Sequence, residues 1–154
     1  MKNAWFHPDH IGTYKGEMKD GIAHGKGTYT SSHKGKKGKY KYFYKGSFVN
    51  GQKHGKAIQI FHLPTYVIKY QGSFKNDLSD GYGVLTMIYK GKLEQKYIGE
   101  FKKGYRHGKG KLIDYFEKYS IFRGGDQMIK LCCPNFNSPN RNVFVLFYIL
   151  NYLN

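Results

Sequence analysis

The sequence predicts an all-β fold: an elongated, single-layer, twisted antiparallel sheet of tandem β-hairpins. Three observations predict it. The first is internal repetition. Tyr14-Lys15-Gly16-Glu17-Met18 recurs as Tyr44-Lys45-Gly46-Ser47-Phe48, Tyr70-Gln71-Gly72-Ser73-Phe74 and Tyr97-Ile98-Gly99-Glu100-Phe101. In every copy a His or Asp (His24, His54, Asp80, His107) stands eight residues after the first glycine. The second observation is the turn inside each copy. Asp20-Gly21, Asn50-Gly51 and Lys103-Gly104 accept the positive φ that closes a tight hairpin. Asn76-Asp77 fills that place in the third copy, and Asp tolerates this backbone better than most residues. The third is composition: 20 Gly with 15 Tyr and 11 Phe suits turns and aromatic strands rather than helices.

Taken in order, residues 1–13 are a lead-in whose Trp5 and Phe6 are expected to cover the first open sheet edge. The array occupies 14–125, with copies starting near 14, 44, 70 and 97 and a degenerate one near Phe122-Arg123-Gly124. Period-two alternation sets Tyr14, Gly16 and Met18 on one side of the first strand and Lys15, Glu17 and Lys19 on the other. In the returning strands the glycines at 25 and 27, 55, 81 and 83, and 108 and 110 alternate with bulkier residues. Glycine in a strand marks close approach by another group, so a ring from a neighbouring hairpin is expected over each bare backbone. The second copy departs at Ala57, and Ile58-Gln59-Ile60 reverses the alternation, so a bulge or face change is expected near Ile58. Residues 126–154 begin with a turn-rich linker, Pro134 to Asn142, and end in an apolar run, Val143 to Leu150. β-Branched and aromatic content favours a capping strand there over a short helix, a hydrophobic membrane foot or a gene-model artefact.

The pattern Tyr-x-Gly-Glu/Ser-Phe, a turn, then His-Gly-x-Gly resembles the MORN repeat (membrane occupation and recognition nexus), from roughly Tyr14 to Gly125. The resemblance implies a scaffold in cytoskeletal, ciliary or cell-division assemblies, and the third and fourth copies look most like the MORN proteins of cilia and sperm. The family's name suggests a membrane surface. Some MORN arrays are fused to lipid kinases or methyltransferases, and this chain has no room for such a domain.

The residues themselves point away from catalysis. Gly21-Ile22-Ala23-His24-Gly25-Lys26-Gly27-Thr28 has too few residues between its glycines for a phosphate loop, and Gly follows the Lys. It also sits in a hairpin, with no following helix to receive phosphate. There is no Gly-x-Ser-x-Gly elbow and no His-Glu-x-x-His. Glu17 and Glu100 recur at one strand position facing away from the aromatic side, which makes no acid–base pair. His24, His54 and His107 are spaced by whole repeats, roughly 9–10 Å apart, too far to share a metal. They are expected to be turn residues hydrogen-bonding their own hairpins. No cofactor or metal is expected.

Charge directs attention to partners. The chain carries 26 Lys+Arg against 10 Asp+Glu, net +16, which favours acidic partners. The longest connection between copies, Gly27 to Tyr44, concentrates that charge. Lys34, Lys36, Lys37, Lys39, Tyr40, Lys41, Tyr42 and Lys45 form a candidate loop for lipid or another anion, lysines on phosphates and rings at the headgroup level. Single-stranded nucleic acid ranks behind a membrane there. Tyr14, Met18, Tyr44, Phe48, Tyr70, Phe74, Tyr97 and Phe101 are expected to line a face that a single-layer sheet leaves incompletely covered. Such a face is a groove for a protein partner or a homodimer interface. The only cysteines, Cys132 and Cys133, are neighbours, so no disulfide framework exists and a reducing, cytoplasmic setting is expected, with cytoskeletal or membrane association. Lipidation of one of them would supply a second anchoring signal. The first residues lack the apolar core of a signal peptide, and no apolar run reaches the ~18 residues of a spanning helix.

Overall fold

The computed structural model describes residues 12–35 and 38–115. They form one open antiparallel sheet of eight strands whose spatial order is the chain order. The strands are β1 (Gly12–Lys19), β2 (Ile22–Gly35), β3 (Gly38–Val49), β4 (Gln52–His62), β5 (Tyr66–Lys75), β6 (Leu78–Tyr89), β7 (Lys92–Lys102) and β8 (Tyr105–Asp114). This is the row of consecutive hairpins that the repetition predicts. The lead-in, the degenerate copy near 122, both cysteines and the apolar tail lie outside the described residues.

The turns inside the four copies are left-handed at both central positions. Asp20-Gly21, Asn50-Gly51, Asn76-Asp77 and Lys103-Gly104 have φ between 50° and 86°. That twist matches the twist of the strands they join. Lys90-Gly91 makes a further turn of this kind between β6 and β7.

Each copy contains a bulge. Pairing slips between Gly16 and Met18, Gly46 and Ser47, Gly72 and Phe74, and Gly99 and Glu100. On the returning strands Gly25, Gly55, Gly81 and Gly108 adopt φ between 56° and 102° there, a backbone that only glycine holds without strain. The bulge is thus a property of every repeat and lies at Gly55 in the second copy. Ile58, where a break was expected, pairs in register with Lys45 and Gln71.

The second glycine of each pair has a different task. A Cβ on Gly27, Gly83 or Gly110 would run into the ring of Tyr14, Tyr70 or Tyr97 respectively. The covering ring therefore comes from the same hairpin, not from a neighbouring one as the sequence reading expected. Each tyrosine folds forward along its own strand and its hydroxyl donates to the carbonyl three residues on, where the bulge disrupts the ladder. The bonds are Tyr14 to Glu17 (2.6 Å), Tyr44 to Ser47 (2.9 Å), Tyr70 to Ser73 (3.0 Å) and Tyr97 to Glu100 (3.2 Å). This explains why tyrosine, not phenylalanine, opens every copy.

Between copies the rings stack edge to face in one continuous row. Tyr14 meets Phe48 (5.2 Å between centroids), Tyr44 meets Phe48 and Phe74 (5.0 and 5.4 Å), Tyr70 meets Phe74 and Phe101 (5.1 and 4.9 Å), and Tyr97 meets Phe101 (5.2 Å). Each phenylalanine is wedged between its own tyrosine and that of the preceding copy. The hairpin turns are also tied across copies. Gly51, Asp77 and Gly104 donate backbone N–H groups to the carbonyls of Ala23, Lys53 and Ser79 at 2.9–3.1 Å. Asp77 and Asp80 accept from the backbone N–H groups of Lys53 and Lys103.

Candidate functional site

The register sorts side chains onto two faces. Because Tyr29, Tyr44, Gln59, Tyr70, Leu85, Tyr97 and Leu112 are cross-strand partners in sequence, they share one face, the aromatic face. On that face Tyr44, Phe48, Tyr70, Phe74, Tyr97 and Phe101 are buried, Tyr44 completely. The aromatic face is therefore not the incompletely covered surface the sequence reading expected. The rings fill one another's space, and Ile68, Ala57 and Leu85 complete the core. Tyr14 is half-buried against it, and Met18, at the first copy where no preceding tyrosine stands, is 61% exposed.

The lysine–aromatic stretch is also rearranged. Residues 34–35 and 38–45 are strand rather than loop: β2 and β3 pair continuously from Gly25 and Phe48 out to Gly35 and Gly38. Lys36 and Lys37 lie outside the described residues. Alternation along β3 then parts the two residue types. Lys39, Lys41 and Lys45 share the face opposite the rings with Lys34, which lies directly across from Lys39. Tyr40 and Tyr42 lie on the aromatic face, where Tyr40 is buried and Tyr42 packs on Phe61 and donates to Gln59 Oε1 at 3.0 Å. The cations and these two tyrosines cannot meet one ligand together. The lysines remain assembled, with half-buried Phe43 among them between Thr30 and Ile60; the tyrosines belong to the core.

The lysine face extends past the segment singled out in the sequence. Lys26 lies across from Ser47 on β3, and Lys69 on β5 lies between Ile60 and Thr86. From Gly21 through Asn76 the sequence contains no Asp or Glu, so β2 to β5 supply no carboxylate to these lysines. On β1, Glu17 accepts the backbone N–H of Lys26 at 3.0 Å and lies over the bulge glycine, Gly25. Glu100 lies over Gly108 in the same way, and Ser47 and Ser73 take that place in the middle copies.

A second polar cluster, unforeseen in the sequence, is built around Lys53. This lysine lies across from Phe48, on the aromatic face, and is 9% exposed. Its ammonium donates to Tyr42 Oη (3.3 Å) and Gln59 Oε1 (3.1 Å) and stands 5.5–5.8 Å from the ring centres of Tyr42, Tyr44 and Phe74. Burial pushes its pKa down to about 8, and the charge of Asp77 opposes that shift. Burial also holds the Tyr42 hydroxyl well above its ordinary range. Arg106, at the matching place in the fourth copy, lies 5.0 Å over Tyr97 and donates to Gln95 Oε1 at 2.7 Å. The signal in the sequence was position: Ala23, Lys53, Ser79 and Arg106 each stand two residues after the turn, and two of the four are cations. The Lys53 cage holds the chain's own ammonium.

The histidine position precedes the bulge glycine. His54 Nδ1 is buried without a hydrogen-bond partner, in place of the backbone bond expected of it. Among the described residues no three His, Cys, Asp or Glu side chains gather to hold a metal. No described helix is long and apolar enough to cross a membrane.

Comparison with protein families matches the MORN repeat at residues 14–32, 44–62, 70–87 and 97–115. The chain belongs to the MORN-repeat family. Each match opens at the tyrosine whose hydroxyl closes the bulge, so the recurring letters are the ones that build the strand, the slip and the ring row. Comparison with curated proteins found no match. The MORN fold is a non-enzymatic repeat architecture, and its arrays serve as scaffolds or membrane-binding modules.

Proposed function

We propose that this MORN array is a non-catalytic scaffold mediating protein–protein interaction in a cytoplasmic, cytoskeletal or ciliary assembly. One observation supports the reading most: the aromatic face is consumed in aligning the repeats, while the opposite face offers an extended surface of exposed lysines with no carboxylate from β2 to β5. A surface of that kind holds partners through many weak contacts and has no place to activate a nucleophile. The resemblance of the third and fourth copies to ciliary MORN proteins points to the type of assembly. Reconstitution tests the reading. A partner recovered on the full-length chain is purified and mixed with it again in lipid-free solution. A stable complex is the expected result; a partner held only when vesicles are present overturns it.

A second reading, peripheral docking on anionic phospholipid, draws on the same exposed lysines of β2 and β3. Co-sedimentation with neutral and anionic vesicles at low and high salt tests it. Sedimentation with anionic vesicles alone, lost in high salt, is what this reading requires.

A further inference from the structure

We infer that the lysine face of β2 to β5 is a docking surface for an extended acidic polypeptide carrying carboxylates at alternate residues. The inference deepens the scaffold reading and rests on it.

Three observations carry it. First, Lys34 and Lys39 are direct cross-strand partners, and like charges so placed repel. An array that keeps such a pair beside Lys41 and Lys45, with no Asp or Glu between Gly21 and Asn76, has a charge imbalance that an external anion would offset. Second, the spacing is that of a strand. Lys39 and Lys41 are two residues apart on one face and Lys45 is four further, so the ammonium groups recur at multiples of about 7 Å. An extended peptide with Glu at every second position presents carboxylates at the same interval. Third, the neighbours of these lysines on β2 are hydroxyls. Ser32 lies across from Lys41 and Thr28 across from Lys45, groups able to accept and donate hydrogen bonds to a peptide backbone. The rings that would favour a lipid headgroup layer or stacked bases, Tyr40 and Tyr42, are on the opposite face. Phe43, the ring between Lys41 and Lys45 on this face, is half-buried between Thr30 and Ile60. The exposed groups are therefore charges and hydroxyls, which favour an acidic peptide over a bilayer or a nucleic acid.

The experiment is fluorescence anisotropy of a labelled peptide alternating Glu and Ser, with an alternating Gln and Ser peptide as its neutral control. Full-length chain is compared with Lys34→Glu/Lys39→Glu/Lys41→Glu/Lys45→Glu and with Lys92→Glu/Lys102→Glu/Lys103→Glu/Lys109→Glu. The second variant has the same net charge but alters β7, β8 and the turn between them. Thermal melts establish that both variants fold, and Lys39→Gln/Lys41→Gln replaces the first if it does not. The expected result is salt-sensitive binding of the Glu peptide, weakened roughly tenfold or more by the β2–β3 variant and little by the β7–β8 variant. Equal weakening by both variants would mean that net charge alone binds, and would overturn the inference. Parallel titrations use phosphatidylserine–phosphatidylcholine vesicles and oligouridylate. Binding of either through the β2–β3 lysines, without binding of the Glu peptide, also overturns it. If the Glu peptide fails while a reconstituted partner complex persists in lipid-free solution, this surface is wrong and the scaffold reading stands. If only vesicles bind, both fall.

Discussion

A lysine ammonium enclosed by three rings gives the protein a pH dependence that can be worked out from one residue. The folded-state pKa of Lys53 is lowered to about 8 by burial, with Asp77 opposing, against 10.5 as its ordinary value. Below pH 8 both folded and unfolded chains are protonated there, and the full cost of burying the charge is present. Between pH 8 and 10.5 the unfolded chain binds more protons, so stability rises with pH, by about 3 kcal/mol across the window. Tyr44 and Tyr70 act in the opposite direction: burial raises their pKa values, and the stability they confer is lost as pH climbs above 10. Denaturant melts should therefore strengthen from pH 8 toward 10 and weaken beyond. Lys53→Met should remove the rise and be neutral or stabilising at pH 7, because Tyr42 and Gln59 still bond each other. A Lys53→Met protein that melts much lower at pH 7 would show that the ammonium holds the cage together. The repeated tyrosine hydroxyl makes a second case. Tyr70→Phe strands the Ser73 carbonyl beside the bulge and should cost about 1–3 kcal/mol in urea unfolding. Tyr14→Phe, at an exposed edge where water replaces the bond, should cost less.

Hairpin by hairpin, the parts of the fold legible in the sequence were those specified by single positions. Asn-Gly, Asp-Gly and Asn-Asp demand left-handed backbone, and the structure has it at all of them. What depends on register between strands was not legible. Two glycines in His-Gly-x-Gly look alike as letters, yet Gly81 holds the bulge at φ 102° and Gly83 lies under the ring of Tyr70. The lysines and tyrosines of 34–45 are adjacent in sequence, which suggests one site. Once those residues are strands, period two sends them to opposite faces. The burial of Lys53 is not legible in the sequence because part of its enclosure, the ring of Phe74, comes from the next copy. The distinction between glycines is testable. A Cβ at Gly72 meets the backbone of Gly83, which cannot move aside, so Gly72→Ala should cost about 1–3 kcal/mol. For Gly83→Ala the nearest atoms are the Tyr70 ring and hydroxyl, a side chain, and the second copy already has Ala57 in that place, so its cost should be the smaller of the two. Equal losses in paired urea melts would show that the ring is as fixed as the backbone.

Across the described sheet, strands pair only with their sequence neighbours, and the ring row, which reaches from β1 to β3, β3 to β5 and β5 to β7, is what converts four hairpins into one cooperative object. In such a linear array, stability is a sum of repeat terms and interface terms, and a break matters by where it falls. Phe74 is wedged between Tyr44 and Tyr70, at the middle interface, and Lys53 lies over it as well. Phe101 is wedged between Tyr70 and Tyr97, one interface from the end of the described sheet. Truncating either ring to alanine removes a buried aromatic and should cost about 3–5 kcal/mol locally. The consequences for cooperativity differ. Phe74→Ala uncouples the first two copies from the last two, so unfolding should divide into two transitions, with hydrogen exchange in β2 to β4 no longer matched to that in β6 to β8. Phe101→Ala should release β7 and β8 early and leave β2 to β6 exchanging slowly as one unit. Exchange that accelerates uniformly in both variants would mean that the backbone ladder, rather than the row of rings, carries cooperativity along the array.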